Sequence, residues 1–175
     1  MREVDSLKKT NSNFQFFTII TFKKQSPSIK INNNMTNECL NVITFYGDKG
    51  KIDKALDDLN SDSRFITDNI GNDIKINKDG YTCITCWEPN IAGAKRIADL
   101  YDLDFNLVYD EPGNEIFGEV NYTEGVLTIT ELGSEDYGQI TFNKKTELYS
   151  FRGESNDDNS DFLITLLIEK VCQSD

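Results

Sequence analysis

The chain contains no histidine. That removes the commonest general base near neutral pH and the commonest metal ligand. Cysteine is sparse, with four residues in 175. Without a secretory signal these are expected to be reduced thiols in the cytoplasm, so no disulfide framework is expected. No long apolar run is present. The best N-terminal candidate, Phe14–Phe22 (FQFFTIITF), is short and broken by Gln and Thr. It falls well below the roughly 20 apolar residues of a membrane span, and no small-residue cleavage site follows it. Neither a Gly-rich phosphate loop nor a G-x-S-x-G elbow occurs. Basic residues are also few: 18 Lys and Arg stand against 30 Asp and Glu, for a net charge of −12.

The charge is unevenly spread. Residues 1–34 carry Arg2, Lys8, Lys9, Lys23, Lys24 and Lys30 against Glu3 and Asp5, a surplus of +4 that leaves −16 on the remainder. Such a body repels nucleic acid and anionic membrane, whose phosphates need Lys and Arg, and it attracts a basic protein surface. The plainer reading, that acidity only aids solubility, stays open beside it. The first 34 residues read as a basic extension that ends in an Asn run. They are either an appended strand at Phe14–Phe22 or a segment upstream of an alternative start at Met35. Residues 35–175 read as one domain, within the size range of a single core.

Periodicity along that body predicts a regular order. Cys39, Asn41, Ile43 and Phe45 alternate as one face of a strand. Ile52, Ala55, Leu56 and Leu59 share a helical face. NDIKI and YTCITCW are expected to pair through Asn77–Gly80, whose Asp-Gly supplies a hairpin's positive backbone angles. Ile91, Ala94, Ala98 and Tyr101 form a second helical face behind a cap at Asn90, and Pro89 cannot prolong the strand before it. Leu103, Phe105, Leu107 and Tyr109 alternate again. The order β-α-β-β-α-β is the ferredoxin-like split βαβ arrangement, an α+β fold with an antiparallel sheet and two helices on one face. Further strands are expected at 116–122, 126–132, 138–143 and 147–151. An acidic loop, ESNDDNSD, then leads to a final helix carrying Phe162, Leu163, Leu166, Leu167 and Val171, capped by Asn159 or Ser160.

Several constellations have a chemical and a plain reading. Cys83 and Cys86 form a C-x-x-C, but Cys39 and Cys172 complete no second pair for zinc. On a strand the two sulfurs face opposite sides, with Cα atoms roughly 10 Å apart at about 3.3 Å per residue. That is too far for a disulfide. No metal site and no cofactor are expected. Trp87 is read as a core anchor at the end of a central strand, with a recognition surface of Trp87, Tyr109 and Phe117 as the alternative. The carboxylates Glu88, Asp110, Glu111, Glu115, Glu119, Glu135, Asp136, Asp157 and Asp158 are read as solvated surface and as candidate contacts to a partner. Direct nucleic-acid binding by the sheet would need basic rims, which are missing.

Three stretches resemble a known family. In MTNECLNVITFYG, Asn37, Cys39, Asn41 and Gly47 keep its spacing, with Glu38 where its pattern has Trp. In TCWEP, Thr85, Trp87 and Pro89 do so. In LDFNLVYDEPGNEIFGEV, Tyr109, Glu111, Gly113, Phe117 and Gly118 do so. Over about residues 35–120 the chain is similar to the YubB-like, Api-type ferredoxin-like proteins of phages and plasmids. The resemblance implies a ferredoxin-like fold and a mobile-element origin, and it carries no settled activity. With the acidity and the lack of a catalytic constellation, it leads to a non-catalytic accessory protein that binds a basic protein partner. The expected partner is a host defence nuclease or a restriction or CRISPR-type system, engaged through a nucleic-acid-like acidic surface. Alternatives are a small enzyme using carboxylates or a divalent ion near Trp87, Glu88 and Glu111, and a virion structural or assembly protein.

Overall fold

The structure is a computed structural model and describes residues 37–61 and 71–174. The expectations placed on residues 1–34 and on Met35 lie outside the described residues. Two compact units are distinguished, one within Asn34–Ile129 and one that includes Thr130–Asp175.

The first unit runs β1 (Glu38–Tyr46), α1 (Lys49–Ser61), β2 (Asn72–Ile76), β3 (Gly80–Cys86), α2 (Ile91–Tyr101), β4 (Asp104–Glu111), β5 (Ile116–Thr123) and most of β6 (Val126–Glu131), whose last two residues begin the second unit. The sheet order is β2-β3-β1-β4-β5-β6, with β1 antiparallel to both β3 and β4. The first four strands and two helices are therefore a ferredoxin-like βαββαβ, and the β5–β6 hairpin widens it. Cys39, Asn41, Ile43 and Phe45 alternate inward as their spacing requires, and the last three pair with Tyr109, Leu107 and Phe105 of β4. Ile52, Ala55, Leu56 and Leu59 of α1 join the same buried cluster as Ala94, Ile97 and Ala98 of α2, so both helices cover one face. Burying each large side chain there contributes about 1.5–3 kcal/mol.

Local chemistry sets the helix ends. Asp48 accepts from the Lys51 amide (3.1 Å) at the start of α1. Asn90 accepts from the Gly93 amide (3.2 Å) at the start of α2. At the end of α2, Asp102 takes a left-handed conformation (φ 53°) and its amide bonds Ala98 O. Lys51 meets the Asp102 carboxylate at 2.6 Å.

Two turns correct or sharpen the sequence reading. Asp79 and Gly80 do not have positive φ, so the β2–β3 turn is not built as expected. Asn77 organises it instead: its side chain accepts from the Asp79 amide (3.1 Å) and its amide donates to Gly80 O (3.0 Å). Gly80 is needed for close approach, because a Cβ there would lie 1.9 Å from Ile43 O. The positive angles appear at Glu124 (φ 52°) and Gly125 (φ 81°), which join β5 to β6 as a tight two-residue hairpin.

β4 differs from a half-buried strand. Asn106, Val108 and Asp110 are buried on the face opposite Phe105, Leu107 and Tyr109. Val42 and Phe117 are buried on that opposite face as well.

The second unit holds α3 (Ser134–Tyr137), the antiparallel meander β7 (Thr141–Asn143), β8 (Leu148–Phe151) and β9 (Glu154–Asn156), and α4 (Ser160–Ser174). The one-turn α3 and strand β9 were not expected. β9 takes the first residues of the acidic stretch read as a loop, because Arg152 (φ 49°) and Gly153 (φ 89°) turn the chain straight back from β8. α4 starts as expected: Asn159 O receives the first helical amide bonds, and Asp158 accepts from the Ser160 amide at 2.6 Å. Phe162, Leu163, Leu166, Leu167 and Val171 are buried along it, and Phe162 packs on Phe151 with ring centroids 5.5 Å apart.

Candidate functional site at the end of the central strands

β1, β3 and β4 bring most of the motif residues to one end of the sheet. Asn41 is fully buried at its centre. Its amide group donates to Cys39 O (2.9 Å) and Thr85 Oγ1 (2.8 Å), and its Oδ1 accepts from the Asn90 amide (2.7 Å). Thr85 in turn donates to Glu88 O (2.6 Å). The Asn90 side chain caps α2 and also donates to Cys83 Sγ (3.6 Å). One buried Asn thus ties together β1, β3 and the start of α2. Buried polar groups are held this way because leaving one unpaired costs about 1–3 kcal/mol.

The turn so fixed, Trp87 to Pro89, presents Trp87 to solvent. Trp87 is 55% exposed and sits at φ 71°, a conformation costly for a bulky residue. Its amide bonds Asn37 O (2.9 Å). This overturns the core-anchor expectation: β3 ends at Cys86, and the left-handed step at Trp87 turns the ring off the inward face that Cys83 and Thr85 share. The alternative surface of Trp87, Tyr109 and Phe117 is also corrected, since Tyr109 and Phe117 are buried.

The cysteines divide by face. Cys83 is buried and Cys86 exposed, and all four are free thiols. Burial pushes the Cys39 thiol up to about 12 and the Cys83 thiol to about 11, while hydrogen bonds from Thr85 and Asn90 pull each partly back. Among the described residues no three Cys, Asp or Glu side chains converge as a metal-ligand set. No described helix is long and apolar enough to cross a membrane.

The candidate carboxylates fall into three groups. Glu88, Glu115, Glu135 and Asp157 are exposed. Asp136 and Asp158 are half-buried and engaged: Asp136 meets Lys170 and the Gly133 amide, which hold its carboxyl below the usual range, and Asp158 binds the start of α4. Asp110, Glu111 and Glu119 are buried, which corrects their reading as solvated surface. β4 and β5 are interior strands whose two faces are both closed, so alternation did not send these groups to water. Glu119 accepts from Asn106 (2.8 Å) and from Asn121. Glu111 accepts from the Asn114 amide (2.7 Å) and so holds the β4–β5 turn. Its Oε1 lies against Gly113, where a Cβ would come within 2.9 Å. Glu111 and Gly113 are thus a paired turn device, and the enzyme reading loses a carboxylate facing solvent.

The remaining motif residues are structural. Gly47 (φ 138°) brings the chain against Leu103, and Gly118 pairs with the buried Tyr109. Two features had no clear sequence signal. The Asn106–Glu119–Asn121 cluster joins neighbouring strands, and only a register assignment would have found it. A groove of about 530 Å³ in the second unit is lined by Asp136, Arg152, Glu169 and Lys170. These four charges pair off, with Arg152 forked onto Glu169 (2.6 and 2.8 Å) and Lys170 on Asp136.

No curated protein and no solved structure is significantly similar to the chain. A family model described as ferredoxin-like domain in Api92-like protein matches residues 72–152. The match contains the Thr85-Trp87-Pro89 and Tyr109–Gly118 motifs, extends beyond residue 120 to the end of β8, and begins after the Asn37–Gly47 motif. Residues 72–152 thus match the ferredoxin-like domain of the Api-type family that the motifs resemble.

Proposed function

We propose that this protein is a non-catalytic accessory protein of a phage or plasmid that binds a basic protein partner. The partner class is a nucleic-acid-binding component of a host defence system, a nuclease or a restriction or CRISPR-type complex. The observation that carries the reading is Trp87. The chain's one Trp stands exposed on a strained backbone that a buried hydrogen-bond network holds in place. Strain retained in this way marks functional positions, and Trp is the residue most often found at the centre of binding hot spots.

The surroundings are acidic. Glu88 follows Trp87, and Glu38 pairs across from Cys86 on the neighbouring strand. From Ile97 to Asn143 the chain contains no Lys or Arg at all. A Lys or Arg stacked on the Trp face gains about 0.5–2 kcal/mol, and flanking carboxylates favour the same cation. A surface of this chemistry competes for a groove that otherwise receives phosphates, and its binding weakens with salt.

The test is expression of the full chain, and of Trp87→Ala, in a host whose nuclease defence is active. Wild type is expected to raise phage or plasmid survival and the variant to lose most of that effect. Survival unchanged by wild type would remove the anti-defence reading.

A further inference from the structure

We infer that the β7–β8 hairpin of one chain docks onto the Trp87 corner of a second copy, a contact that uses the exposure of Trp87 and does not depend on the partner class proposed for it.

The three-stranded sheet sets Phe142, Tyr149 and Asn156 opposite one another in a single cross-strand row. Directly opposed residues share a face of a sheet. The Phe142 and Tyr149 rings meet there, with centroids 4.7 Å apart. Phe151, two residues along β8 and on the same face, is buried against Phe162 of α4. Phe142 gains no such cover and stays 49% exposed, with Tyr149 half-buried beside it.

The turn that leaves β7 is basic. Lys144 and Lys145 are exposed and make no ion pair among the described residues. Glu147 in the same turn still leaves a surplus of +1, in a body whose net charge is −16. Asn143 holds the turn, its carbonyl accepting from the Glu147 amide (2.8 Å) and its side chain from the Lys145 amide (3.0 Å).

An open aromatic pair beside two unpaired cations suits an aromatic anchor flanked by carboxylates. The chain presents that chemistry itself: Trp87 is 55% exposed, Glu88 follows it, and Glu38 stands opposite Cys86, both acids being exposed. A nucleic-acid strand also offers rings and negative charge, but it brings a charge at every phosphate against a chain of net −12. The Trp87 corner brings two. Repulsion between two acidic chains is screened beyond about 8 Å at about 0.15 M salt, so the contact pairs decide. The two surfaces are unlike, so a contact that does not close on itself adds further copies.

Sedimentation velocity of the purified full chain over a rising concentration series at about 0.15 M salt tests the contact. Wild type is expected to gain mass beyond one chain, and to return toward one chain at about 1 M salt, where charges act over only about 3 Å. Trp87→Ala and the double variant Lys144→Glu, Lys145→Glu are surface changes, checked for fold by circular dichroism, and each alone is expected to stay monomeric. Mixed together they are expected to form a one-to-one dimer and nothing larger, because the first keeps the hairpin and the second keeps Trp87. No host component enters this assay, so its outcome is separate from that of the survival test. Wild type that stays monomeric throughout, association that survives either variant, or a mixture that yields no heterodimer would overturn the inference. So would a single-stranded oligonucleotide that binds wild type and not the lysine variant while the chains stay monomeric.

Discussion

Replacing Asn41 with Ala tests whether the motif residues form one structural device. The change removes two donated bonds and one accepted bond of a fully buried side chain. The Asn90 amide loses the Asn41 Oδ1 acceptor that it holds at 2.7 Å. Taking the acceptor from a buried amide costs about 1–3 kcal/mol. The small void adds about 1 kcal/mol. A loss of about 2–4 kcal/mol is expected against a total of about 5–15 kcal/mol for a typical domain. Urea unfolding followed by far-ultraviolet circular dichroism measures it, as a lower midpoint with an unchanged slope. Asn41→Asp separates hydrogen bonding from volume. It keeps the acceptor for Asn90 but turns a carboxylate oxygen toward Cys39 O. Burial raises that carboxyl's folded pKa above its unfolded value, so its stability deficit is smallest below the unfolded pKa of about 3.9 and grows as pH rises through the folded value. An Ala variant within about 0.5 kcal/mol of wild type, the range of ordinary surface changes, would refute the reasoning. So would an Asp variant equal to wild type at neutral pH.

In the native protein Cys86 and Cys172 should react with a thiol reagent while Cys39 and Cys83 do not, and all four should react in denaturant. Native labelling of Cys39 or Cys83 at the rate of Cys86 would contradict their burial. Both buried thiols have folded values above the ordinary 9.0, so their contribution is complete below pH 9 and is lost as pH rises toward about 11 and about 12. A Cys39→Ala, Cys83→Ala double variant should show a shallower alkaline loss of stability over that window. Tyr81 is fully buried and its hydroxyl has no hydrogen-bond partner among the described residues, so Tyr81→Phe should stabilise the fold by about 1 kcal/mol in urea titration. At Trp87, Gly should exceed Ala in stability by about 1 kcal/mol, because φ 71° costs Ala a steric penalty that Gly escapes. Equal stability of the two variants would argue against strain there.

The fold was legible wherever one period sufficed. Ile52, Ala55, Leu56 and Leu59 marked a helical face, and Cys39, Asn41, Ile43 and Phe45 marked a strand face, because each pattern reports a single side turned to a core. Alternation does not report whether the second side is also closed, so Asp110 and Glu119 were read as surface. Gly80 was read as a turn former because Asp-Gly usually is one. Its reason is the approach of Ile43 O from a strand far away in the chain. Asn41 and Asn90 stand 49 residues apart, and nothing local in either joins them. Trp87 was misplaced for a related reason. Composition makes a lone Trp an anchor of the core, while its left-handed backbone is imposed by Asn37, Thr85 and Asn90 together.

The most direct measurement for the proposed function is affinity capture from host lysate with full-length wild type and Trp87→Ala, eluted in steps of rising salt. The account predicts a nucleic-acid-binding protein held by wild type at about 0.1 M salt, where charges act over about 10 Å, released well before about 1 M, and missing from the variant. Capture of no such protein, or capture unaffected by Trp87→Ala and by salt, would contradict it.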